Sequence, residues 1–144
     1  MVSIKSVAYS LGLLSFVAAA TYTTASYGQT KTEGIKAKGF TSKPMVVGAI
    51  TGVADKEIAI INVNIAPGAS SPHHTHPGDC YGAVLEGTVE FVRGGEVMGI
   101  YSEGQAWVNP PGEVHYFRNI GDKPAHLVNS VIYEKGKKRT QRQP

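Results

Sequence analysis

From Met45 to Tyr133 the apolar residues come in short runs broken by glycine and proline, and nowhere do they repeat at helical spacing over three turns. Met45 to Ile50 lies between Pro44 and Gly52, and Ile58 to Ile65 stops at Pro67-Gly68. Cys80 to Leu85 and Thr88 to Arg93 flank Glu86-Gly87, read as a hairpin turn, and Glu96 to Tyr101 follows Gly94-Gly95. Gln105 to Val108 halts at Pro110-Pro111-Gly112, and Val114 to Ile120 and Ala125 to Tyr133 are parted by Gly121-Asp122. Short strands at regular spacing, punctuated by residues that supply tight turns, predict an all-β sandwich or barrel. No internal repeat is evident, and 144 residues suit one such domain.

The N-terminus is a different kind of segment. Lys5 is followed by an apolar stretch from Val7 to Ala20, centred on Leu11, Leu13, Leu14, Phe16 and Val17. That is the length of a signal-peptide core and shorter than the ~20 residues of a membrane span, so residues 1–28 are expected to be a signal peptide. Cleavage is expected after Gly28 or Ser26, with no stable membrane anchor and an exported product, periplasmic or secreted. Residues 29–44 are polar, with Lys31, Lys36 and Lys38, and read as a flexible lead-in.

The high sequence pI of about 9.0 comes mainly from residues 134–144, where Lys135, Lys137, Lys138, Arg139 and Arg142 face only Glu134. This reads as a solvated basic tail on a near-neutral body, and no nucleic-acid partner is expected. Cys80 is the single cysteine. In an exported chain it has no internal disulfide partner, and is either buried and inert, a metal ligand, a reactive thiol or an intermolecular bridge.

Four of the five histidines fall in two segments. In Ser71-Pro72-His73-His74-Thr75-His76-Pro77-Gly78-Asp79-Cys80, His74 and His76 are two apart, so on an extended chain both point to one side and Thr75 to the other. His115 follows Pro110-Pro111-Gly112 at the head of an apolar strand. Neutral imidazole is a common transition-metal ligand, and two on one strand with a third on a neighbour make a set that leaves coordination positions open. His73 should face away from such a site, and His126 reads as a surface residue.

The two segments resemble the motifs of the cupin superfamily. The first reads Gly68, five residues, His74-Thr75-His76, three residues, Cys80, six residues, Gly87; the second reads Gly104, five residues, Pro110-Pro111-Gly112, two residues, His115, three residues, Asn119. The resemblance implies a double-stranded β-helix, a jelly-roll-like barrel over residues 45–133, with one metal ion inside near a mouth. Homodimers are common among cupins of this size.

Where the family usually offers a glutamate ligand, this chain has Cys80, so the expected ligand set is His74, His76, Cys80 and His115. A soft thiolate would favour copper or zinc, while the usual harder set admits iron or manganese. Three functions follow as expectations: a mononuclear metal-dependent oxidoreductase, dioxygenase-like, acting on a small molecule behind a dry wall of Val84, Trp107 and Phe117; a non-catalytic copper or zinc binding or redox protein; or a metal-free small-molecule binding module.

Overall fold

A computed structural model describes residues 34–144. The expected signal peptide and the first residues of the lead-in lie outside this range. Eleven strands build two sheets: β1 (Ile35–Ala37), β2 (Phe40–Ile50), β3 (Val53–Ile65), β4 (His74–Thr75), β5 (Cys80–Glu86), β6 (Thr88–Arg93), β7 (Glu96–Ser102), β8 (Ala106–Asn109), β9 (His115–Asn119), β10 (Ala125–Glu134) and β11 (Gln141–Arg142). One sheet runs β1-β2-β3-β10-β5-β8 and the other β11-β4-β9-β6-β7, with every pairing antiparallel. The fold is all-β, as the strand pattern predicts, and is the jelly-roll-like barrel that the motif resemblance implies.

β10 along its length and β3 from Ala59 onward bury every second residue, as a pleated chain with one face inward does. Ala59, Ile61, Val63 and Ile65 of β3, and Ala125, Leu127, Val131 and Tyr133 of β10, all turn into the core. Val89 and Phe91 of β6 and Phe117 of β9 meet them from the other sheet. Phe91 and Phe117 stack at 4.8 Å, and Trp107 closes on Phe117 at 4.7 Å, so an aromatic plug fills the barrel beside the second histidine segment.

Gly94-Gly95 joins β6 to β7 as a two-residue hairpin in which both residues have positive φ, a turn that only glycine makes cheaply. Glu86-Gly87 is not a hairpin. β5 pairs with β10 and β8, whereas β6 pairs with β7 and β9, so the chain changes sheets there. Gly87 takes φ 85 and packs so closely on Ala125 that an added Cβ would lie 2.9 Å from its Cα. The residue that signals a hairpin turn signals this corner equally well.

The flexible lead-in is corrected: Ile35–Ala37 and Phe40–Ile50 are strands, paired with each other and, through β2, with β3. Pro44, read as a boundary, sits inside β2 at a break in register between Pro44 and Val46. Proline has no N–H to give the ladder, and a bulge accommodates it without ending the strand. The basic tail is corrected as well. Lys135, Lys137 and Lys138 are exposed, but Gln141 and Arg142 form β11, which pairs with Thr75 and His74.

Candidate metal centre

β4 and β9 bring the two histidine segments side by side, with His74 directly opposite His115. Gly112 of the Pro-Pro-Gly turn donates its N–H to the His76 carbonyl at 2.8 Å, tying the turn to the first segment. Its φ of 78 is one that glycine alone adopts without strain. At the far end of β9 the Asn119 amide donates to Ile65 O and Lys123 O, both at 2.8 Å, and accepts from Gly121 N at 2.9 Å. Both ends of the His115 strand are therefore held by residues of its own motif.

One ring nitrogen from each of His74, His76 and His115 can be chosen so that all three lie within 4.8 Å of one another. The other nitrogen of each ring is engaged by backbone. His74 Nδ1 donates to Pro72 O at 2.7 Å, His76 Nδ1 to Arg139 O at 2.9 Å, and His115 Nδ1 meets Glu113 O at 2.9 Å. A carbonyl can only accept, so at His74 and His76 the contact puts the proton on Nδ1 and the lone pair on Nε2, whereas at His115 the Asn109 Nδ2, which can only donate, meets the same Nδ1 as the Glu113 carbonyl. The Asn109 amide packs against the His115 nitrogen as well, at 3.0 Å. His76 Nε2 and His115 Nε2 are buried with no hydrogen-bond partner among the described residues.

Buried orphan nitrogens are costly unless something fills their need. Burial pushes the His76 pKa down to about 3, helped by the neighbouring His74, and that of His115 down to about 4 for the same two reasons. Burial lowers that of His74 too. All three are neutral donors at pH 7, as metal ligation requires. The residues present therefore fit a divalent transition-metal ion held on three imidazoles.

Cys80 is not in this group. Its strand slot points inward next to the site, since Cys80 pairs with Asn109, whose side chain touches His115. The side chain, however, ends at Sγ, where a glutamate in the same slot would reach further by two heavy atoms. The sulfur belongs to the hydrophobic core, and burial pushes its pKa up to about 12, so without a metal it is a protonated thiol.

A pocket opens beside His74 and His76, walled by Phe40, Ile61, Val63 and Phe117, with Ser42, Asn129 and Thr140 as polar points. Phe117 lines it as expected, whereas Val84 and Trp107 lie in the core behind. Ile35 and Phe40, from the supposed lead-in, and Thr140, from the supposed tail, are part of the wall. His73 turns outward and stacks on Tyr116 at 4.4 Å, and His126 is exposed near Glu86, both as expected. Thr75 was expected to face outward but is buried, with Gln143 Nε2 donating to its hydroxyl at 3.4 Å.

Sequence reading missed Asn109, Arg139 and Thr140. Asn109 carries a local signal, since it abuts the Pro-Pro-Gly turn; Arg139 acts through a backbone carbonyl, which any residue has.

The Cupin domain family matches residues 61–131. Among characterised proteins, the chain is 32% identical over 102 residues to germin-like protein subfamily T member 3 and 31% identical over 122 residues to germin-like protein subfamily 2 member 1, both of Arabidopsis thaliana. These matches take in 65% and 76% of this chain but only 44% and 54% of the relatives, so the chain spans about half their length. Among solved structures, a mutant Bacillus subtilis oxalate decarboxylase superposes with TM-score 0.58 at 23% identity, over 77% of this chain and 30% of that one. An oxalate oxidase bound to the substrate analogue glycolate gives TM-score 0.59 at 20% identity, over 74% and 56%. At these identities the superpositions speak for the fold.

Proposed function

Because this chain is a metal-binding cupin, we propose that it is a mononuclear metal-dependent oxidoreductase that acts on a small molecule with dioxygen. The observation that carries this reading is the cluster of His74, His76 and His115, each able to bring one ring nitrogen within 4.8 Å of the others, beside a pocket that His74 and His76 line. His74, His76 and His115 would hold the ion, which when bound supplies Lewis-acid and redox chemistry at the pocket. Three protein ligands leave room for an exogenous one. An all-imidazole set admits iron and manganese as well as copper and zinc.

The pocket side chains would do the rest. Phe40, Ile61, Val63 and Phe117 exclude water, while Ser42, Asn129 and Thr140 orient a polar group. Among the described residues that line the pocket there is no Lys, Arg, Asp or Glu, so a substrate's negative charge would be met by the ion. Small carboxylic acids with a compact apolar body are the class to assay first, alongside the oxalate named for the structural neighbours. The test is dioxygen uptake by metal-loaded protein across such acids. Uptake that disappears in His76→Ala and His115→Ala supports the reading. A protein that binds one ion per chain and consumes no dioxygen with any of them supports the second reading, a non-catalytic metal binder, which the lack of a carboxylate or lysine base in the pocket favours.

The reading includes export after loss of about 28 residues, motivated by the apolar stretch from Val7 to Ala20, and an intact mass of full-length cytosolic protein would refute it. It also includes a homodimer, formed through the exposed apolar residues Tyr81, Leu85 and Val108 on one face of adjacent strands. Light scattering should return twice the chain mass, and Tyr81→Lys should halve it.

A further inference from the structure

We infer that the segment Arg139–Gln143 is a working part of the metal centre: the Arg139 carbonyl orients His76 as a ligand, and Thr140 closes the pocket over it. The inference rests on the reading of His76 as a ligand. His74 and His115 take their carbonyl partners from two residues upstream in their own segments. His76 takes its partner from 63 residues away. Thr140 Oγ1 lies 3.4 Å from the same Nδ1 and lines the pocket.

The segment is anchored on both sides of this contact. Gln141 and Arg142 pair with Thr75 and His74, Gln143 N donates to His73 O at 2.9 Å, and the Arg142 guanidinium donates to Lys36 O at 3.0 Å. These bonds reach the first histidine segment residue by residue and bind it to β1. Lys137 and Lys138, just before, are exposed, and the core does not draw on any residue after Tyr133. The barrel is therefore built without the segment, and the metal centre is not. With the carbonyl removed, the His76 proton is free to move to Nε2, where it would block the ligand atom, and the ring loses its fixed orientation. Outer partners of this kind typically change metal affinity by about 10–100-fold.

The test compares the full chain with one ended after Lys138. Metal-free protein, labelled with ¹⁵N at histidine, reports the tautomers directly. The full chain should show His76 protonated at Nδ1, and the shortened chain should show proton density moving to Nε2 at His76 while His115 stays as it was. Zn²⁺ affinity, measured by competition with a chelating dye, should fall about 10–100-fold, with the far-ultraviolet circular dichroism of the barrel retained. If the shortened chain does not fold, Arg142→Ala/Gln143→Pro loosens the segment with every residue still present, and should give the same tautomer shift with a smaller loss of affinity. An unchanged His76 tautomer and unchanged affinity in a folded variant overturn the inference. A full chain that binds no metal would refute the proposed function instead, and the tautomer comparison would still decide the role of Arg139.

Discussion

The two histidine segments do the same job with different support. The His115 segment is self-contained: Glu113 and Asn109 hold the ring, Gly112 makes the turn, and Asn119 locks the strand end. The His74-Thr75-His76 segment contains a strand of only two residues, His74–Thr75, and draws on β9, on the Gly112 turn and on the distant β11. It is also the segment in which Cys80 occupies the slot of the usual fourth ligand. A motif that carries its own second layer of contacts tolerates change elsewhere in the chain, whereas one that borrows that layer depends on whatever lends it.

The largest effects should come from the ligands themselves, and there the two segments should behave alike. His76→Ala and His115→Ala should each lower metal affinity at least about 100-fold, more than the loss of an outer partner. Metal analysis of dialysed protein checks this, and a strong loss in only one of them would mean that the segments do not share an ion.

The next largest effect is on pH. His76 and His115 have folded-state pKa values near 3 and 4 against 6.5 when unfolded, because burial disfavours their charged forms. The unfolded chain therefore binds more protons below pH 6.5. Their contribution to stability is fully present above that pH and is lost as pH falls through 6.5 toward 4 and then 3. Melting curves of metal-free protein should show this decline, and His76→Ala/His115→Ala should flatten it.

Gly82→Ala should cost about 1–3 kcal/mol of stability by overpacking. A Cβ at Gly82 would run into the Trp107 ring and the Asn129 amide, and chemical denaturation measures the loss. Smaller still is the effect expected of Cys80→Ala on the metal: affinity within about twofold of wild type, with a stability cost of about 1 kcal/mol for the trimmed core. Cys80→Glu should instead add a ligand from the same slot and raise Mn²⁺ affinity.

The same contrast explains what could be read in the sequence. Motif spacing located the three histidines that the structure brings together, because the His-x-His alternation and the turn before His115 are local. The all-β class followed from Gly and Pro punctuation, and the barrel from the motif resemblance. β1 and the start of β2 went unread because Lys36 and Lys38 mask a strand whose inward residues are few, and because Pro44 reads as a stop unless the bulge is seen. The role of Arg139 left no trace, since a carbonyl partner 63 residues away places no demand on side-chain type. Cys80 was placed correctly in the barrel interior, and it lies outside the group of three histidines: strand alternation gives the direction of a side chain and not its length.

X-ray absorption at the zinc edge of Zn²⁺-loaded protein tests the central claim most directly. Nitrogen and sulfur ligands differ in distance, at about 2.0–2.1 Å and about 2.3 Å respectively. Three converging imidazoles with Cys80 in the core predict a spectrum fitted by three histidine nitrogens, with the remaining position filled by a light atom and no sulfur shell. A sulfur scatterer at about 2.3 Å, or fewer than three imidazoles, would contradict it.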